Sequence, residues 1–533
     1  MINNGLKNNR DEKSSPLCHF IGNGNSHRDE FRNSDTQDPK EEEQHCYNWK
    51  EETKLLVWDL ALPQALLQLG LIFSSALTAS YVGRTMEPLY LDGFTLGNLT
   101  GNMFVSSLLQ GLFSANDTLG PQAFGAGNHQ ELGLLAIRGT VASFVLLFPI
   151  ILLLWGYLEA IFVQIHQDPR VARLAADWFR IFSLGFPAYS TNMMMWKFLS
   201  AQNIMFPQVA VGVVANFIVL PLCLEVCTKW LGLGFLGTAV ANSVYSTLNA
   251  LLLLAYLWCF QPHSSHSWSG LRWAEALEWK PLLNYLRLGL GGMLCFVEWI
   301  YWEIIVLMVG MLGVVPLSVQ TIATMVVEVC VMLPTGLGIA LSIRIGVTLS
   351  KNVRGAQLLS LWSLLIGTVV FGVLSVLLYT QQSLVVALFT RDPNVVEGCK
   401  TIWFKVCILH FNVGIYCIVV GIATGLGMQW TLGICNFFAF MIIGLPTVYY
   451  YAIFRDGGLD MIWTWINPPY VLISGILIFC FIRTNWRAIA NAVIQREQRD
   501  NFVVTTNEVL DLLKKSKHHG NDNLFDKVER NKA

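Results

Sequence analysis

Three observations predict an all-α polytopic membrane protein, with twelve transmembrane helices in two pseudo-symmetric six-helix lobes. The first is composition. The 533 residues are 54% hydrophobic and only 13% charged, with a mean hydropathy of +0.49, whereas soluble domains are about one quarter charged. The second is a series of twelve apolar runs, each long enough for a helix to cross roughly 30 Å of hydrocarbon. They fall at 55–81, 93–116, 133–157, 172–196, 206–228, 233–260, 282–310, 317–343, 356–380, 396–425, 430–454 and 461–484. The fourth and tenth match a continuous apolar stretch least well. The third is an internal duplication. DTLGPQAFGAGN at 117–128 follows the second run, and SIRIGVTLSKN at 342–352 follows the eighth. Both read as tight small-residue loops, and parallel repeats of this kind form two bundles that rock about a central site.

The domain boundaries follow from polarity. Residues 1–54 are polar, with an acidic run at Glu41–Glu43, and read as a disordered cytoplasmic tail. An N-terminal lobe at 55–260 and a C-terminal lobe at 282–486 flank a polar cytoplasmic loop at 261–281, and 487–533 is a polar cytoplasmic tail. No basic start followed by an apolar stretch and a cleavage site is present, so no signal peptide is expected. An even number of spans puts both termini on one side. The loops on that side hold Lys197, Arg272, Lys280, Arg287, Arg344, Lys351, Arg354, Arg483 and Arg487, and those opposite hold Arg84, Arg170, Arg173, Lys229, Arg391 and Arg455. The fuller list favours cytoplasmic termini. The sequons at Asn98 and Asn116 then fall in or beside the second span, where no glycan is expected.

Several function classes find little support, with a channel or an intramembrane enzyme left as the remote alternative. A net charge of −1 leaves no basic surplus for nucleic acid. The twelve cysteines lie mostly singly in apolar runs, with neither a disulfide framework nor a zinc spacing. No HExxH, GxSxG or paired-aspartate signature supports an intramembrane enzyme, and no charged ring or carbonyl filter supports a channel. The glycine-rich 117–128 segment lacks the lysine of a phosphate-binding loop.

What remains is the stretch MLCFVEWIYWEIIVLMVG at 293–310, which Glu298 and Glu303 interrupt. A carboxylate near the middle of a span costs roughly 2.5–3.5 kcal/mol on lenient insertion scales. Chains keep such groups mainly where they face water and bind protons, metal ions or cationic solutes. A carboxyl group that attracts a cation when ionised, and releases it when protonated, is all that exchange requires. The plainer alternative is a glutamate pinned between helices by a hydrogen bond. Five residues at 100° each set Glu303 about 140° around the helix from Glu298, so both cannot face one cavity squarely. Trp302, at i+4, shares the face of Glu298. With Trp299 and Tyr301 it gives aromatic surroundings suited to cation–π contact, or simply to packing.

Six stretches, in order, resemble the multidrug and toxic compound extrusion (MATE) family, and its eukaryotic branch in particular. They are DTLGPQAFGAGN at 117–128, FLSAQNIMFP at 198–207, GTAVANSVYSTLNALLLLAYLW at 237–258, VEWIYWE at 297–303, LPTGLGIALSIRIG at 333–346, and GIATGLGMQ with IIGLP across 421–446. The resemblance runs from about 58 to 487. It implies export of organic cations or xenobiotics by a secondary active antiporter, with protons as the coupling ion and sodium as the alternative. It assigns proton coupling to Glu298 and Glu303, and substrate contact to Gln68, Asn98, Glu298, Trp299, Trp302 and Glu328. Neither a cofactor nor a metal is implied; the partners are small organic molecules and the lipid bilayer, and the chain reads as a monomer. The plasma membrane is the expected location, a vacuolar or vesicular membrane the alternative, with neutral or anionic metabolites as the rival cargo.

Two positions depart from the family pattern. Eukaryotic relatives often carry glutamate in the eighth span where this chain has Met325, with Glu328 three residues along. A carboxylate often found in the tenth span is replaced by Val413, with His410 and Asn412 nearby. The first span carries Asp59 only near its end, so coupling is expected in the C-terminal lobe. Asp117 is expected to cap or clamp loops, and Arg344 to anchor at headgroups or pair across the lobes.

Overall fold

A computed structural model describes residues 49–499 except 166, 265, 269 and 391. The tail expected over 1–54 and the segment beyond 499 therefore lie almost wholly outside the described residues. Residues Met1–Thr53 form a separate unit, and the account below concerns Lys54–Ala533.

Twelve long helices follow one another. Helix α1 runs through Leu55–Ala61 and Leu62–Thr85, and α2 through Pro88–Gly101, Asn102–Ser106 and Ser107–Gly125. Helix α3 is Glu131–Gln164, α4 runs from Pro169–Phe182 to Phe186–Ala201, α5 is Phe206–Trp230 and α6 is Gly234–Phe260. The second half repeats the plan with α7 at Trp279–Gly310, α8 at Val315–Leu349, α9 at Val353–Thr380, α10 at Pro393–Gly425, α11 at Gln429–Phe454 and α12 at Gly458–Arg483. A further helix, α13, occupies 486–499, inside the segment expected to be a tail.

Among the described residues, ten of these helices are long and apolar enough to cross a membrane by composition alone. The two that fall short are α2 and α4. Asn98, Asn102, Gln110 and Asn116 dilute α2, and Arg170, Arg173, Asp177 and Arg180 crowd the first turns of α4. The tenth helix, expected to be marginal, has a mean hydropathy of 2.2, and 67% of that window is buried inside the protein. It is the central post of its half, packed against α8, α9 and α12.

The duplication is visible in the caps. Asn352 accepts a hydrogen bond from Gly355 N at 2.8 Å to start α9, and Asn128 accepts one from Glu131 N at 3.3 Å to start α3. Asp168 and Asp392 each cap an Asp-Pro helix start, accepting from Arg170 N at 2.8 Å and Asn394 N at 2.9 Å to open α4 and α10. Side-chain oxygens at these positions satisfy amides that the first helical turn leaves unpaired.

The two repeated segments are not the loops expected. Residues 117–125 continue α2, with Pro121 inside the helix, and the turn begins only at Ala126. Residues 342–349 likewise complete α8. Small residues are used here for close helix packing rather than for turning. The two copies meet each other: a Cβ on Gly346 would lie 2.8 Å from Pro121 Cβ, and one on Gly125 would overlap the backbone of Val347.

That meeting is part of a larger contact between the halves. The largest buried core draws on α8 to α12, yet it also takes in Leu56, Leu60 and Ala61 from the foot of α1. In the other half, the core of α2, α3 and α4 takes in Tyr285 from the foot of α7. Each half therefore holds the first turns of the other's leading helix. Gly111 of α2 sits where a Cβ would be 2.6 Å from Met293 Cα of α7. Hydrogen bonds reinforce the seam: Gln122 Nε2 donates to Gly425 O at 2.9 Å, Thr118 Oγ1 donates to Thr424 O, and Gln429 Nε2 donates to Thr118 Oγ1. Arg344 donates across the halves to Asn203 Oδ1 at 3.4 Å, one of the two roles expected of it. Asp117 does not clamp a loop. It pairs with Lys197 of α4 at 2.7 Å, within one half.

His129 lies in the turn between α2 and α3. Partial burial, then the nearby charges of His266 and Lys351, push its imidazole below the ordinary 6.5. The folded arrangement thus resists protonation, and its stability is present above pH 6.5 and is lost as the pH falls below that value. His129→Asn should flatten the fall in melting temperature between pH 7 and 5. An equally steep fall in the variant would assign it to other groups.

Candidate functional site

The site is built around a break in α7. The helix is continuous over Trp279–Cys295, interrupts at Phe296, and resumes at Val297–Gly310. Glu298 therefore stands in the first turn of the second segment, where unpaired backbone N–H groups and the helix dipole favour a negative charge.

Helices α10, α11 and α12 deliver the other members. Tyr470 of α12 donates from its hydroxyl to Glu298 Oε1 at 2.6 Å. Its oxygen accepts in turn from Trp302 Nε1 at 2.9 Å. Tyr416 of α10 lies within electrostatic reach of the Glu298 carboxylate, and its hydroxyl accepts from Asn436 Nδ2 of α11 at 2.8 Å. Asn436 reaches back to Cys295 O at 3.0 Å, the last residue before the break. One donor chain thus ends on the carboxylate, Trp302 through Tyr470, and Tyr416, held by Asn436, stands beside it. The rings are fixed by edge contacts, Tyr416 to Tyr470 at 5.2 Å and Phe440 to Tyr470 at 5.0 Å. Both tyrosines are buried, so neither hydroxyl has bulk water as a substitute partner.

The two glutamates part company as the helical angle requires. Tyr301, Ile305 and Val309 share the buried side of the segment with Glu298. Glu303 is half-buried on another side, at i+4 from Trp299, which is 53% exposed, and four residues before the exposed Leu307. Glu328 of α8 is exposed and lies within electrostatic reach of Glu303. The structure therefore links Glu298 to Trp302 through Tyr470, and leaves Glu303 within electrostatic reach of Glu328 instead.

Gln68 and Asn98 belong to the first half. Asn98 Nδ2 donates to Ser75 Oγ of α1 at 2.8 Å, and Gln68 is half-buried two turns before Ser75 on the same helix face. Among the described residues, no hydrogen bond joins either to Glu298. His410 and Asn412 are also occupied locally, His410 Nδ1 with Ser375 Oγ at 2.8 Å and Asn412 with Asn467 Oδ1 at 2.9 Å. No group of three or more His, Cys, Asp or Glu that could hold a metal ion occurs among the described residues.

Sequence reasoning missed Tyr416, Tyr470 and Asn436. Each is a polar residue in an apolar run, but three helices must pack before their convergence exists.

The arrangement can hold one carboxylate in place with neutral donors and exchange a proton on it. A family model described as MatE matches residues 63–224 and then matches 293–450 again. The chain belongs to the MATE family of transporters. The double match coincides with the two halves of the fold, and with it the protein is a multi-pass membrane transporter and not an enzyme. Among its relatives, multidrug and toxin extrusion protein 1 of Mus musculus is 30% identical over 84% of this chain and 78% of that protein. An uncharacterized transporter of Schizosaccharomyces pombe is 28% identical over 82% of this chain and 80% of its own length. The eukaryotic MATE transporter AtDTX14 superposes with a TM-score of 0.77 at 24% identity, over 84% of this chain and 99% of that one. VcmN of Vibrio cholerae superposes at 0.71 with 13% identity, over 85% and 99%. At these identities the solved structures establish the twelve-helix fold of this MATE protein.

The hydroxyl of Tyr470 is the member most open to direct test. Tyr470→Phe keeps the ring packing, removes the donor to Glu298 and leaves Trp302 Nε1 without its acceptor. Uptake of the transported solute should fall roughly tenfold in kcat/KM, the low end for losing a hydrogen bond to a charged group, with folding intact. Unchanged uptake would make the bond incidental.

Proposed function

We propose that this MATE protein exchanges organic cations for protons by alternating access, with Glu298 as the group for which the two compete. The observation that carries the reading is the hydrogen bond from Tyr470 to the Glu298 carboxylate at the break in α7, with Tyr416 packed edge-on against Tyr470. An ionised carboxylate accepts from the Tyr470 hydroxyl and attracts a cation. Once protonated it carries no charge and becomes a donor on one oxygen, and the attraction for the cation is lost. Because one group cannot hold both, proton and cation each displace the other, and the displacement is reciprocal.

Glu303 and Glu328 supply further negative charge along the path, Trp299 and Trp302 aromatic faces, and Gln68 and Asn98 polar groups on the facing half. Helices meeting along α2 from Gly111 to Gly125 form the closed end of the access path, and opening them is the conformational step. The multidrug and toxin extrusion proteins among the relatives support the solute class. The Lys and Arg distribution supports cytoplasmic termini and export, with the plasma membrane as the location.

Proton release on binding tests the competition. Adding tetraethylammonium to lightly buffered, detergent-solubilised protein should release protons from the wild type and none from Glu298→Gln. Release that survives the substitution would move the coupling group elsewhere. Binding of anions that ignores the substitution would favour metabolite cargo over cations.

A further inference from the structure

Helix α13 joins the two halves at their closed end. It begins with Asn485 accepting from Ala488 N at 3.1 Å and Trp486 donating to Phe481 O at 3.1 Å. Trp486, Ala490 and Val493 recur on one face and are buried in the core of the second half, with Ile489 packed alongside. One turn later the chemistry changes and the partners belong to the other half. Glu497, 3% exposed, accepts from Asn128 Nδ2 at 3.1 Å. Arg496 Nη2 donates to Gln122 Oε1 at 3.1 Å and holds Glu497 Oε1 at 2.6 Å. Gln122 is the residue whose other amide atom donates to Gly425 O across the seam. One side chain of α2 is therefore tied at once to the end of α10 and to α13. Charged and apolar side chains, among them Glu131, Arg138, Leu119, Leu135, Arg496 and Glu497, line a small cavity at this contact.

We propose that α13 is a clasp between the lobes, with Arg496 and Glu497 as positioning residues that set the balance between the closed and open states of this end. Its apolar face moves with the second half, and its charged tip grips the first. These polar contacts cross from one half to the other, so separating the halves must break them. The tip lies beyond the membrane-spanning part of α12, where freed charges regain water. The clasp is therefore breakable, and its strength enters the ratio of the two states directly. This rests on the reading that the halves alternate in access.

The test is a distance measurement that needs neither substrate nor coupling ion. Spin labels at Gln130→Cys and Arg354→Cys, in full-length protein carrying Cys18→Ser, Cys46→Ser and Cys259→Ser, report the gap between the halves at this end. Arg496→Ala and Glu497→Gln should each add a longer-distance population. The open-to-closed ratio should rise on the order of tenfold, what losing one hydrogen bond to a charged group is worth. Arg496→Lys should restore part of the closed population, and Asn128→Ala, which leaves α13 intact, should shift the ratio in the same direction. Folded variants with the wild-type distance distribution overturn the clasp. If the α13 variants fail to fold, Asn128→Ala decides alone. Whether wild-type distances respond to a pH step tests alternating access separately.

Discussion

Glu298→Gln should abolish proton-driven solute uptake while leaving the fold in place. Glutamine is close in size and can still accept from Tyr470, so the packing of α7 against α10 and α12 survives. What it cannot do is ionise. The cation loses its charged partner and the proton its site, and uptake should drop on the order of a hundredfold, the upper range for losing an interaction with a charged group. Glu303→Gln should do less, because Glu303 lies on another side of the helix, next to Glu328 and outside the tyrosine pair. Equal losses from the two substitutions, measured as initial uptake rates, would mean that the tyrosine network does not single out Glu298.

Gly111→Val should prevent the seam from closing. A Cβ at 111 would stand 2.6 Å from Met293 Cα, 2.8 Å from Met293 N and 2.9 Å from Gly292 O. All three are backbone atoms, so no side chain can swing aside and α2 must part from α7. Overpacking of this kind costs roughly 1–3 kcal/mol, and a cost confined to one access state moves the balance between states by about tenfold or more. Uptake should fall accordingly, and the labels at 130 and 354 should report the longer distance. Gly156→Ala is the control, since nothing lies within 4 Å of its added Cβ. Normal uptake by Gly111→Val would contradict the tight crossing.

Glu298 is legible in the sequence because a carboxylate in an apolar run is expensive, and the expense is a local property of the chain. The number and order of helices are legible for the same reason, as is the repeat through its recurring small residues. The tyrosine pair is different. Tyr416 and Tyr470 lie in separate spans, and tyrosines in spans are ordinary; only the packing of α10 and α12 around α7 brings their rings together beside Glu298. The break at Phe296 is hidden because no proline or glycine stands at that position to announce it.

Two misreadings have physical causes. Residues 117–125 look like a turn because glycine and proline punctuate soluble chains. Between membrane helices the same small residues let backbones approach, and the helix continues. Helix α13 reads as a tail because its residues are polar on average. Its apolar positions, Trp486, Ala490 and Val493, followed by buried Glu497, recur at helical spacing and would have revealed it.

The central claim is tested most directly in wild-type vesicles loaded at acid pH and diluted into a neutral medium containing labelled tetraethylammonium, with sodium equal on both sides. The account predicts accumulation above equilibrium that collapses on adding a proton ionophore and is absent with Glu298→Gln. Accumulation that follows a sodium gradient instead, or that persists undiminished in Glu298→Gln, would contradict it.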